Sequence, residues 1–120
     1  MTLQTSSQLG LKHCTACDGN MEPFSRAQAR EQIESLAGWE LADDGRSIEK
    51  RWVMLDFVAA VGFLNQVGQL AEQQGHHPDF HLERYRHVRI VLSTHAVGGL
   101  SENDFIMAAK IDQLPVIVKV

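Results

Sequence analysis

Between Asp56 and Thr94 the spacing of apolar residues changes once, and that change constrains the fold more than any other feature of the chain. Phe57, Ala60, Val61, Leu64, Val67, Gly68 and Ala71 recur at helical spacing, so they lay one apolar stripe along a helix that Asp56 can cap. Gly75 stops that helix, and Pro78, which has no amide hydrogen to donate, prevents its resumption. From Phe80 to Tyr85 and from Val88 to Thr94 the chain is rich in β-branched and aromatic residues. Val88, Ile90, Leu92 and Thr94 fall on one face by strict alternation. A one-sided helix beside one-sided strands requires a layered arrangement of the two.

The rest of the chain extends the same pattern. Ser25 can cap a helix with Ala29, Ile33 and Leu36 on one side, ending at Gly38. Trp39 to Leu41 and Ser47 to Met54 flank Asp43-Asp44-Gly45, whose Asp-Gly pair signals a hairpin. A loop through Gly98-Gly99 leads to Ser101, the cap of a last helix carrying Phe105, Ile106, Ala109 and Ile111, which Pro115 closes. The predicted order is α-β-β-α-β-β-α. This is an α+β two-layer sandwich, an antiparallel four-stranded sheet with helices on one face. Residues 1–23 are polar and without apolar period, and read as an irregular leader. Residues 24–114 form the domain and 115–120 a short tail. Val-rich sheet edges favour burial by self-association.

Composition narrows the function classes. At 120 residues the chain suits one domain, and 44% hydrophobic with 22% charged residues is globular. The net charge is −4 and the lysines and arginines are scattered, so no nucleic-acid partner is expected. No run approaches the roughly 20 apolar residues of a membrane span, and no basic-then-apolar region opens the chain. A soluble, cytoplasmic protein without membrane contact is the expectation. Cys14 and Cys17 form a single Cys-x-x-Cys after His13. Without a second ligand pair or a βαβ pattern, it points to neither a zinc site nor a redox site.

The six histidines of the chain carry more information. His76 and His77 occupy the turn between the long helix and the third strand, and His95 ends the fourth strand. Helix and strand ends are where a rigid scaffold presents reactive groups. Imidazole titrates near neutrality, so one ring can donate a proton while another accepts one. A reaction that both protonates and deprotonates its substrate needs both acts, and convergent imidazoles supply them without metal or coenzyme. Taken alone, His76-His77 reads first as a solvated polar turn beside Pro78. His81 and His87 read as water-facing, and Pro78 disfavours the helix that would make His77 and His81 a metal pair. Glu72 lies on the polar side of its helix, and Asp104 stands where a carboxylate completes a capping box with Ser101. Either is structural on its own; with the histidines they make an acid–base cluster.

Glu72-Gln-Gln-Gly-His76-His77-Pro78, then Tyr85, Ser93-Thr94-His95 and Gly99-Leu100-Ser101-Glu-Asn-Asp104, resembles the signature of the pterin-4a-carbinolamine dehydratase family. The resemblance runs from Phe24 to Leu114 and leaves the leader out. It implies the fold order predicted above, homodimers or homotetramers built through sheet edges and helices, and a shallow pocket whose substrate is a pterin, with no cofactor and no metal. It further implies that His76 and His77 transfer protons while His95 contacts the pterin or serves as a second base. Glu72 and Asp104 would tune the histidines, Ser93 and Thr94 would bind the pterin edge, and Trp39 could stack on the ring or instead anchor the core. The implied activity is loss of water from 4a-hydroxytetrahydropterin to give quinonoid dihydropterin. The alternative is a non-catalytic interaction protein, because relatives of this kind also act as dimerisation or assembly cofactors.

Overall fold

The computed structural model describes residues 3–16 and 21–120. Helices α1 (Ser6–Leu11), α2 (Arg26–Ile33), α3 (Phe57–Gln74) and α4 (Glu102–Asp112) accompany strands β1 (Glu40–Leu41), β2 (Ile48–Val53), β3 (Asp79–Glu83) and β4 (His87–Leu92). A 3-10 turn spans His95–Val97. The strands form one sheet in the order β1-β2-β4-β3, antiparallel at every pairing. This is the predicted α+β architecture, with the expected order kept from α2 to α4. Among the described residues no helix is long and apolar enough to cross a membrane.

The change of period at Gly75 is visible in the backbone. Asp56 accepts from the Ala59 amide to start α3, and Gly75 ends it at φ 66°, a left-handed conformation that costs a residue with a Cβ. The chain then returns along β3, and a hairpin with positive φ at Arg84 and Tyr85 feeds β4 into the middle of the sheet. Val88, Ile90 and Leu92 are buried with Ile48 of β2 beneath the helices, whereas Glu49, Arg51 and Arg89 lie on the opposite face. Ala60, Phe63, Val67 and Ala71 of α3 meet that core. Each fully buried leucine, isoleucine or phenylalanine adds about 1.5–3 kcal/mol of transfer free energy.

Two segments depart from the expectation. The helix begun by Ser25 ends at Ile33 rather than at Gly38, and the chain reaches Trp39 through tight turns that need positive φ at Gly38. The leader, expected to be irregular, contains α1. Thr5 and Gln8 form a reciprocal capping box, and Leu9 is fully buried. Six residues are too few to display an apolar period, and so short a helix is stable only through its packing on the domain. The tail is also tied down: Leu55 donates to the Ile117 carbonyl and Lys119 to that of Val53, each at 2.9 Å.

Candidate active site

Gly75 decides where the two adjacent histidines go. Turning left-handed after α3, it sends His76 inward, where the residue is 4% exposed, and leaves His77 exposed. His76 Nε2 donates to Asp104 Oδ1 at 2.7 Å. Asp104 is fully buried in the first turn of α4, where the helix dipole favours a negative charge. Its Oδ2 accepts from the Ser101 amide at 3.0 Å and from the Thr94 hydroxyl at 2.8 Å. With the Thr94 proton committed there, the Ser101 hydroxyl donates to Thr94 Oγ1, also at 2.8 Å. One oxygen of Asp104 therefore closes the helix and the other holds an imidazole.

The alternation of β4 explains why Thr94 takes part. Continuing the buried series Val88, Ile90, Leu92 by one more step places Thr94 on the helix side, beyond the last strand residue. Its amide donates to the Gly99 carbonyl at 2.7 Å and its carbonyl accepts from Gly99 and Val97, which pinches off the 3-10 turn. His95 begins that turn and is exposed, one residue from the Asp104 network. His77 faces solvent and donates from Nε2 to Glu72 Oε2 at 2.5 Å, with both side chains largely exposed.

The expected site residues thus divide. His76, Asp104 and Thr94 are joined by hydrogen bonds, His77 is paired with Glu72, and His95 and half-buried Ser93 flank Thr94 in sequence. Thr94, expected at a pterin edge, instead has its hydroxyl buried in the carboxylate network and its backbone paired to Gly99. Trp39 is not brought to the cluster. Its indole N–H donates to Asp112 at 3.0 Å and its ring meets Trp52 edge-on, so it anchors the core. Asp112 is eight residues along α4 from Asp104, roughly 12 Å at helical rise. Tyr85 is exposed in the β3–β4 turn, at the far end of the hairpin from His77 and His95. His81 and His87 are half-exposed on strands and outside the cluster. Among the described residues no three His, Cys, Asp or Glu side chains are grouped to hold a metal ion. Cys14 is buried, and Cys17 lies outside the described residues.

Sequence reasoning did not single out Gln74 and Asn103. Asn103 is buried beside Asp104 and bonded to both the amide and the carbonyl of Thr15. The spacing of apolar residues carries no trace of such a contact.

Known proteins resemble this chain in sequence and in fold. The sequence model described as pterin 4 alpha carbinolamine dehydratase matches residues 22–114. A relative from Aromatoleum aromaticum, named for the same dehydratase, is 41% identical over 91% of this chain and 96% of its own. Pterin-4-alpha-carbinolamine dehydratase 2, mitochondrial, of Arabidopsis thaliana is 37% identical over 96% of this chain, which spans 63% of that longer protein. The crystal structure of a transcriptional coactivator/pterin dehydratase from Brucella melitensis superposes with a TM-score of 0.69 at 33% identity, covering 76% of this chain and 96% of that one. A pterin dehydratase-like protein identified as a RuBisCO assembly factor shares the fold, with a TM-score of 0.53 at 24% identity, covering 62% of this chain and 86% of that one. With its histidine–carboxylate cluster and its match over the whole domain, the chain belongs to the pterin 4 alpha carbinolamine dehydratase family.

Proposed function

We propose that this chain dehydrates 4a-hydroxytetrahydropterin to quinonoid dihydropterin by histidine acid–base catalysis, recycling a pterin cofactor. The observation that carries the reading is the buried His76–Asp104 pair, in which a fully buried carboxylate fixes one imidazole nitrogen. Because Nε2 donates to Asp104, that bond holds the imidazole ring in one orientation. In the reaction the C4a hydroxyl takes a proton and leaves as water. The proton on the adjacent ring nitrogen departs, and its electron pair becomes the new double bond to C4a. His76 and His77 divide these two transfers, the exposed His77–Glu72 pair exchanging its proton with solvent. His95 meets the pterin ring or serves as a second base, with Ser93 at its edge. The chemistry calls for proton donors and acceptors alone, and a cytoplasmic setting belongs to the proposal; the mitochondrial name of the Arabidopsis relative marks the alternative compartment.

A second reading, an interaction protein, has its own observation. Phe57, Val58 and Val61 of α3 and Phe80 of β3 are exposed, and a depression of about 550 Å³ lined by Val61, Leu64, Gly68 and Phe80 runs beside Glu72. The Brucella protein is named as a coactivator as well as a dehydratase. The same surface suits the homodimer or homotetramer expected of the chain. Loss of synthetic 4a-hydroxytetrahydropterin in the presence of the protein, against buffer, tests the enzyme reading. Acceleration is expected; a rate equal to buffer leaves the interaction reading in its place.

A further inference from the structure

Consecutive backbone amides in the leader reach two different elements of the candidate site. The Cys14 amide donates to Gln74 Oε1 at 2.9 Å, and the Thr15 amide donates to Asn103 Oδ1 at 3.0 Å. Asn103 returns the bond, donating from Nδ2 to the Thr15 carbonyl at 2.8 Å. Gln74 is the last residue of α3, two before His76, and Asn103 is the second residue of α4, one before Asp104. The leader thus ties the helix end that delivers the imidazole to the helix start that delivers its carboxylate. Residues 14 and 15 lie outside the matched family region of 22–114.

The tie is anchored along the rest of its length. Lys110 donates to the Gly10 carbonyl at 3.0 Å, near the other end of α4, and Leu9 is fully buried. Gln4 and Gln32 exchange backbone-to-side-chain bonds at 3.1 and 2.7 Å. Residues 103 to 109 of α4 are all buried, so this helix is covered on its leader side as well as on its sheet side. A polar pair held by one short hydrogen bond is sensitive to the spacing of the elements that carry it, because orientation decides how much of the bond survives.

We infer that Gln74 and Asn103 are positioning residues for the dehydration, acting through the Cys14-Thr15 backbone to hold α3 and α4 at the separation the His76–Asp104 bond requires. The inference rests on the proposed acid–base role of that pair. Gln74→Ala and Asn103→Ala, made in the full chain, should each lower kcat roughly ten- to a hundredfold while KM stays within about twofold. Gln74→Glu, which keeps an acceptor for the Cys14 amide, should recover most of the loss. Side-chain nitrogen–proton NMR gives a second readout: the His76 Nε2 proton should be sharp in the wild type and exchange-broadened in both alanine variants. Should Asn103→Ala fail to fold, Gln74→Ala decides alone. Variants that melt earlier but keep wild-type kcat and a sharp His76 proton would overturn the inference, leaving the leader as packing only. If the wild type itself does not dehydrate the pterin, the functional reading fails, and the NMR signal still judges the tie.

Discussion

His76 and His77 share a peptide bond, yet the side chain of His76 is 5% exposed and that of His77 is 63% exposed. Their carboxylate partners differ in the same way, Asp104 at 0% and Glu72 at 78%. Out of water an ionic hydrogen bond is strong and costly to break, whereas a pair in solvent is screened and its strength is spent on holding two mobile side chains still. In the mechanism proposed above the buried pair orients and the exposed pair exchanges protons with solvent, so the two should respond to mutation on different scales.

The largest effect is expected at His76→Ala, a loss of turnover of roughly two to four orders of magnitude, measured with 4a-hydroxytetrahydropterin. His77→Ala follows at the lower end of that range, roughly a hundredfold. Asp104→Asn should also cost roughly a hundredfold or more, because an amide can no longer hold the His76 tautomer. Urea unfolding should show the same variant less stable by about 1–3 kcal/mol, as buried donors lose a charged acceptor. Glu72→Gln is the matching change at the exposed pair. It should alter stability by less than about 0.5 kcal/mol and turnover by less than roughly tenfold. Equal losses for Asp104→Asn and Glu72→Gln would erase the distinction between the pairs. His81→Ala, on a strand and outside the cluster, should leave turnover within about twofold and serves as the control.

Much of the scaffold could be read before the structure, because the signals are local. Asp56 and Gly75 bracket α3 through a side-chain cap and a left-handed turn, and both act within a few residues of themselves. The alternation of β4 is a local property of the backbone. At the site, the residue types made the histidines at helix and strand ends suggestive, and only the resemblance to the dehydratase signature singled out His76, His77, His95 and Asp104. Their directions were not legible: whether His76 or His77 faces inward depends on the angle at which Gly75 releases the chain. Nothing in the string shows that Ser101 and Asp104 fold back onto the Thr94 hydroxyl. Trp39 could be read either way, and its burial, with the indole N–H on Asp112, gives it to the core. In the leader, Thr5-x-x-Gln8 was a capping signal present in the string, but a six-residue helix with one buried leucine offers no period to support it. The ties from residues 14 and 15 to Gln74 and Asn103 span 60 and 88 positions, and local pattern has no access to such separations.

The most direct measurement is the rate of 4a-hydroxytetrahydropterin loss with wild-type protein and with His76→Ala and His77→Ala at matched folded concentration. The account predicts acceleration by the wild type and a larger loss for the buried histidine than for its exposed neighbour. An undiminished rate with His76→Ala would contradict it.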